Sequence, residues 1–162
     1  LEDPYHFWYI GKSYYDSTLG EYPLGMDHIR EYARRSIFYF GQYLNFKHDY
    51  HNTGQAKQMD ELAYFALYAM GDMFKLCGNY EKALDCGMKA EEFAPPRNEH
   101  IVLQAECYKD LNDFDSMKVQ TDRLMDPNRK LPFPEFNFLL NMEHYNDSGK
   151  YCEQLHQIAN QV

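Results

Sequence analysis

The sequence predicts an all-α fold in which antiparallel helical hairpins stack on one another, and three observations carry that prediction. Apolar and small side chains recur at three- and four-residue intervals, which places them on one face of a helix. Pairs of glycine, asparagine and aspartate residues, which favour turns, separate these amphipathic segments. A shift of 34 residues superposes residue types in the middle of the chain. No strand is expected.

The repeated unit is a helix, a tight turn and a second helix. In its first helix a small residue is followed three residues later by an aromatic one, so a neighbouring helix can approach beside the ring. Gly-Asn and Asn-Asp pairs tolerate left-handed backbone and open the second helix. Ala83 and Ala90 give that helix a stripe of small residues, and the prolines at 95–96 end it. The shift maps Gly71, Phe74 and the turn at 78–80 onto Ala105, Tyr108 and the turn at 112–114.

The flanking hairpins follow the same scheme less closely. Phe7, Gly11 and Tyr14 reproduce the first-helix pattern near the N-terminus. Near the C-terminus the whole scheme is repeated by Tyr145, a glycine-containing turn at 149–151 and Ile158. The polar stretch at 45–58 predicts a long loop. We expect helices at 4–18, 26–44, 59–77, 80–94, 98–111, 114–125, 135–147 and 151–160. We expect a single domain over 1–162, with repeats at approximately 4–44, 60–97, 98–131 and 135–162.

Composition excludes several classes of partner. A chain of 162 residues can bury a core without staples. Its net charge of -9 opposes attraction to nucleic acid and to anionic membrane surfaces. No run of 18 apolar residues exists, and the opening Leu1-Glu2-Asp3-Pro4 has no leader pattern, so we expect no membrane partner. The four cysteines form no Cys-x-x-Cys pair, which favours free thiols and a cytoplasmic protein.

No set of residues in the sequence indicates catalysis. A Ser-His-Asp arrangement, a phosphate-cradling glycine loop and a His-Glu-x-x-His run are all missing. His48 and His51 stand beside Asp49 in the polar stretch, but a flexible loop supplies no rigid third ligand. We therefore expect no catalytic residues, no cofactor and no metal.

Residues 64–97 closely resemble a tetratricopeptide repeat (TPR), and 98–131 resemble one more distantly. The first resemblance is carried by Met70, Gly71, Phe74, Gly78, Asn79, Tyr80, Ala83, Ala90 and Pro95. In the second, Met117 and Leu124 replace small residues, and Arg129 replaces the closing proline. The resemblance implies a right-handed TPR-like α-solenoid of three to four repeats, whose inner helices line a concave binding groove.

The groove-facing positions implied by this resemblance are Trp8, Lys12, Tyr68, Asp72, Lys75, Val102, Glu106 and Lys109. Paired acidic and basic groups on such a groove favour a protein or peptide partner with a basic or hydroxylated segment, or a polar glycan acceptor, over an anionic tail. The sequence does not decide whether the chain forms a homo-oligomer. The alternative is that these charges pair with one another at i, i+3 along each helix and only solvate the surface.

A second resemblance covers most of the chain. The chain is similar to the repeat region that follows the catalytic domain in a group of family 2 glycosyltransferases. The resemblance is carried by Tyr64, the segments at 67–68, 70–72, 78–83, 95–99 and 131–134, and the upstream segment at 8–14. It implies an accessory helical region that positions an acceptor or mediates oligomerisation. A free-standing peptide-binding adaptor is the alternative, and an enzyme on a helical scaffold is a third, weaker one.

Overall fold

The computed structural model describes residues 3–20, 26–47, 56–93, 97–126 and 128, and this part of the chain is helical without any strand. The helices are α1 (Pro4–Leu19), α2 (Met26–Lys47), α3 (Ala56–Leu76), α4 (Tyr80–Ala90), α5 (Glu99–Asp110) and α6 (Phe114–Leu124). A short 3-10 helix, Glu91–Phe93, follows α4. Over these residues the prediction of an all-α fold is confirmed.

The chain divides into two compact units, Leu1–Pro95 and Pro96–Val162. The division falls at the two prolines that were expected to end the second repeat. In the first unit α1 packs against α2, α2 against α3, and α3 against α4, with α1 also touching α3. In the second unit α5 packs against α6.

Some helix ends differ from the expectation. Both ends of the expected loop at 45–58 are helical, because α2 runs on to Lys47 and α3 begins at Ala56. The helix expected at 80–94 is α-helical only to Ala90. The helices expected at 135–147 and 151–160, and the fourth repeat at 135–162, lie outside the described residues.

The α1–α2 hairpin is held by a close approach of its two helices. Asp3 caps α1 by accepting a hydrogen bond from the Tyr5 backbone N–H at 3.0 Å. Gly11 is buried in the middle of α1, and the ring of Phe40 on α2 packs directly on it. The Ser36 hydroxyl, also buried, donates to the Gly11 carbonyl at 2.9 Å. Glycine is needed here because any side chain would separate the two helices.

The main core of the first unit joins aromatic rings from the hairpin to small residues of α3. Trp8, Tyr15, Phe40 and Tyr43 form one cluster with Ala63, Ala66, Ala69 and Met73. The three alanines recur every three residues, so α3 offers a flat stripe on which large rings can lie. Phe65 fills the seam, with its ring centroid 5.4 Å from that of Trp8 and 5.7 Å from that of Tyr15.

The two tight turns have the same hydrogen bonds at a shift of 34 residues. Gly78 and Asn112 both adopt left-handed backbone, with φ of 75° and 59°. Each donates its N–H to a carbonyl three residues earlier. Asn79 and Asp113 then cap the next helix, each accepting from the backbone N–H three residues on, at 3.2 and 3.1 Å. The turn chemistry predicted from the sequence is confirmed at both positions.

The second helix of each hairpin packs through the positions that the repeat pattern singled out. Ala83 and Ala90 of α4 are fully buried, and Ala90 contacts Tyr64 and Leu67 of α3. Gly71 of α3 is buried as expected. In the second unit the buried Ala105 packs against Met117, one of the two residues that replace the expected small side chains.

Candidate functional site

The candidate site is a set of exposed and half-buried polar residues on α1 and α3 of the first unit. Helical spacing places Tyr9, Lys12 and Asp16 on one side of α1. The same spacing places Tyr68, Asp72 and Lys75 on one side of α3. We call these six residues together the α1–α3 face. Four of the residues predicted from the sequence, Lys12, Tyr68, Asp72 and Lys75, belong to it.

A hydrogen bond between tyrosine and carboxylate ties the two helices together beneath this face. The buried Tyr15 of α1 donates its hydroxyl proton to Asp72 Oδ2 at 3.0 Å. Burial, and then the negative charge of Asp72, raise the pKa of Tyr15 well above its usual value, with a smaller contribution from Tyr68. The Tyr15 hydroxyl therefore stays a proton donor at neutral pH, and it fixes the position of the Asp72 carboxylate.

Lys12 pairs with a residue of its own helix. Its ammonium group donates to Asp16, four residues on, and both side chains are well exposed. Such an exposed pair contributes little to stability, because water screens it and both side chains lose freedom. Lys12 thus pairs along its own helix with Asp16, which is not among the predicted groove residues. An exposed pair can still exchange its internal contact for one with a ligand.

Trp8 takes a different place from the expected one. It is 7% exposed, and its indole N–H donates to the Leu62 carbonyl of α3 at 3.0 Å. The ring lies against Phe40 and Phe65, so it belongs to the core and offers no free stacking surface. The large apolar area of an indole favours burial once its N–H has found an acceptor.

The aromatic residue that does face solvent here is Tyr9, which sequence reasoning passed over. Its side chain is 65% exposed, and its ring meets the edge of Trp8 at a centroid distance of 5.3 Å. The signal was present in the sequence, because Tyr9, Lys12 and Asp16 are spaced by three and four residues and therefore share a side of α1.

The remaining predicted residues belong to the second unit. Val102, Glu106 and Lys109 are half-buried on α5, with Glu106 and Lys109 one turn apart. Their positions match Tyr68, Asp72 and Lys75 at the 34-residue shift. That they line one groove together with α3 stays a prediction.

The described ranges also contain histidines, cysteines and carboxylates outside the α1–α3 face. No group of three or more His, Cys, Asp or Glu side chains among those residues could hold a metal ion. His48 and His51 lie outside them. No helix in this part of the chain is long and apolar enough to cross a membrane. Cys77, Cys86 and Cys107 are free thiols, and burial raises the pKa of Cys86 to about 12, so its thiol stays protonated at neutral pH.

No family model matches the chain, and no curated protein matches it. The chemistry of the α1–α3 face is an exposed tyrosine ring, two carboxylates and two ammonium groups on two packed helices. Such groups can bind a polar ligand through hydrogen bonds, ion pairs and stacking.

Proposed function

We propose that the chain is a helical-repeat interaction module of the tetratricopeptide type, which binds an extended peptide on the α1–α3 face. One observation carries the proposal. Tyr9 presents an exposed ring beside paired donors and acceptors, and the Tyr15–Asp72 hydrogen bond holds the two helices that supply them. Tyrosine is favoured at binding surfaces because it buries much area and loses little conformational freedom.

The repeated turn supports the tetratricopeptide part of the proposal. The same backbone bonds and the same side-chain cap recur after 34 residues, which is the period of that family. In such a repeat the first helix of each hairpin contributes to the binding surface. Here α1 and α3 are the first helices of successive hairpins, and they touch.

The geometry of the face sets the size of the ligand. Tyr9 and Asp16 are seven residues apart on α1, which corresponds to about 10 Å along the helix axis. An extended peptide rises about 3.3 Å per residue, so about three residues span this distance. Asp16 and Asp72 are acceptors for a lysine, arginine or hydroxylated side chain, while Lys12 and Lys75 are donors for peptide carbonyls.

The test begins with selection of peptides from a random library displayed on phage, with the whole chain as bait. The affinity of the selected peptides is then measured by calorimetry. We expect Tyr9→Ser and Asp16→Ala each to weaken binding at least tenfold. Met88→Ser and Asp85→Ala are matched controls, because both residues are exposed on α4, and they should bind like the wild type.

Two results would contradict the proposal. One is a library that yields no enriched peptide, and the other is a selected peptide that binds the α1–α3 variants as tightly as the wild type. A glycan array probed in parallel separates the ligand classes. Sugar binding that Tyr9→Ser abolishes would assign the face to a glycan acceptor instead of a peptide.

A further inference from the structure

A row of aromatic rings runs along the outer seam of the α1–α2 hairpin, away from the α1–α3 face. Its members follow one another in the order Phe46, Phe7, Tyr39, Tyr14 and Tyr32. Successive ring centroids are 5.4, 6.5, 6.0 and 5.5 Å apart, and the first three contacts are stacked. All five side chains are half-buried. The row therefore links α1 and α2 through continuous ring contacts.

Glu31, Arg35 and Phe38 are exposed on α2 next to this row, and we call them the α2 edge. Arg35 donates to Glu31 at 2.8 Å and to the Tyr14 hydroxyl at 3.1 Å, and its guanidinium carbon lies 5.6 Å from the centroid of the Tyr14 ring. Phe38 is 58% exposed and meets the edge of Tyr39. Helical spacing puts Glu31 and Phe38 on the side of α2 opposite the buried Phe40.

The α2 edge is complementary in charge to a second copy of itself. Glu31 and Arg35 stand two residues before and two residues after Ala33, about 3 Å along the axis in each direction. When two α2 helices pack antiparallel about a two-fold axis at the level of Ala33, each Glu31 faces the other copy's Arg35. The same axis places each Phe38 opposite the other copy's His28. In a two-fold interface every such contact occurs twice.

We propose that the α2 edge is a self-association surface, on which two copies of this chain pack their α2 helices antiparallel. The two Glu31 carboxylates and the two Arg35 guanidinium groups then alternate around the axis, so that groups of like charge are not neighbours. Among the described residues, only one of the two terminal nitrogens of Arg35 and one of the two carboxylate oxygens of Glu31 have hydrogen-bond partners. The other terminal nitrogen and the other oxygen can therefore contact a second copy. Phe38 supplies the exposed apolar anchor that such an interface requires. Because Tyr14 already holds the Arg35 guanidinium, little side-chain freedom is lost on association.

Complementary charge reversal tests this directly in the whole chain. Association is measured by sedimentation equilibrium over a range of protein concentrations. The wild type should form dimers, and Arg35→Glu and Glu31→Arg should each weaken association at least tenfold, since each variant places four like charges together. An equimolar mixture of the two variants should recover wild-type affinity as a heterodimer, because every opposing pair is then restored.

Controls separate this surface from general charge effects. Lys89→Glu changes another exposed i, i+4 pair, on α4, and should associate like the wild type. Phe38→Ser should weaken association without loss of helix content. If a single reversal prevents folding, the swapped variant Glu31→Arg, Arg35→Glu replaces it, and should pair with itself but not with the wild type.

Four results would overturn the proposal: a wild type that stays monomeric at its solubility limit, single reversals that associate normally, a mixture that stays monomeric, or assemblies larger than a dimer. The last would indicate head-to-tail packing of different surfaces. Failure of peptide binding on the α1–α3 face would leave the result unaffected, because the two surfaces share no residue.

Discussion

Replacement of Gly11 by alanine should destabilise the first unit, although alanine favours helices. An added Cβ would lie 2.9 Å from Cδ1 and 3.0 Å from Cγ of Phe40. Distances this short require a shift, and the ring has little room because Phe40 is fully buried against Trp8 and Phe65. A shift that separates the helices would also stretch the hydrogen bond from Ser36 to the Gly11 carbonyl.

Two opposing contributions decide how much Gly11→Ala changes the free energy of unfolding. Overpacking of a filled core costs about 1–3 kcal/mol. The change from glycine to alanine inside a helix is worth about 1 kcal/mol in the other direction. Gly41 of α2 isolates the second contribution, since a Cβ there meets nothing within 4 Å. Gly41→Ala should therefore stabilise the protein by about 0.5–1 kcal/mol, and Gly11→Ala should be less stable than Gly41→Ala by about 1–3 kcal/mol.

Urea denaturation followed by far-ultraviolet circular dichroism measures both free energies of unfolding. The comparison between the two variants removes the helix-propensity contribution, which they share. Equal stability of Gly11→Ala and Gly41→Ala would refute the reasoning, because the contact between Gly11 and Phe40 would then accept a methyl group without strain.

Three further predictions follow from the helix contacts and turns. Gly71→Leu should lower the free energy of unfolding by about 1–3 kcal/mol, because Gly71 is buried in α3; an unchanged denaturation midpoint would place it outside the contact. Tyr15→Phe should lower the free energy of unfolding by about 1–3 kcal/mol, because Asp72 loses the buried hydroxyl that donates to it. An equal decrease for Tyr14→Phe would show that the effect is not specific to this hydrogen bond. Hydrogen bonds from Ser116 lower the pKa of Asp113, so its stabilising contribution is present above the pKa of the unfolded chain and is lost as pH falls through the lower folded value. Asp113→Asn should therefore show a weaker decline in stability than the wild type on acidification below about pH 4, and parallel pH profiles would contradict this.

The turns were predictable from the sequence because their determinants are local. A residue that tolerates positive φ, followed by a side chain that caps the next helix, specifies Gly78-Asn79 and Asn112-Asp113 without reference to the rest of the fold. The extension of α2 to Lys47 was not predictable in this way. Leu44 packs against α3, and Phe46 packs against α1. These contacts extend the helix through a segment whose sequence by itself favours a polar loop.

The candidate site was predicted in part for a related reason. Periodicity places Lys12 on one side of α1, and Tyr68, Asp72 and Lys75 on one side of α3, while their role in binding stays a prediction. Periodicity cannot decide between Trp8 and Tyr9, because adjacent residues differ by about 100° and either could face α3. The decision comes from α3, where the Leu62 carbonyl accepts the indole proton and Phe65 covers the ring. The α2 edge was not predicted from the sequence, because the complementarity of its charges becomes apparent only when a second copy of the chain is considered.

The burial of Trp8 also gives the protein a built-in optical reporter. It is the single tryptophan of the chain, so the indole emission excited beyond the tyrosine band comes from one position, at the junction of α1 and α3. A change in its emission wavelength on unfolding registers the opening of that junction in the first unit. The second unit contains no indole and stays silent in the same measurement, so fluorescence and circular dichroism recorded together distinguish separate melting of the two units from a single concerted transition.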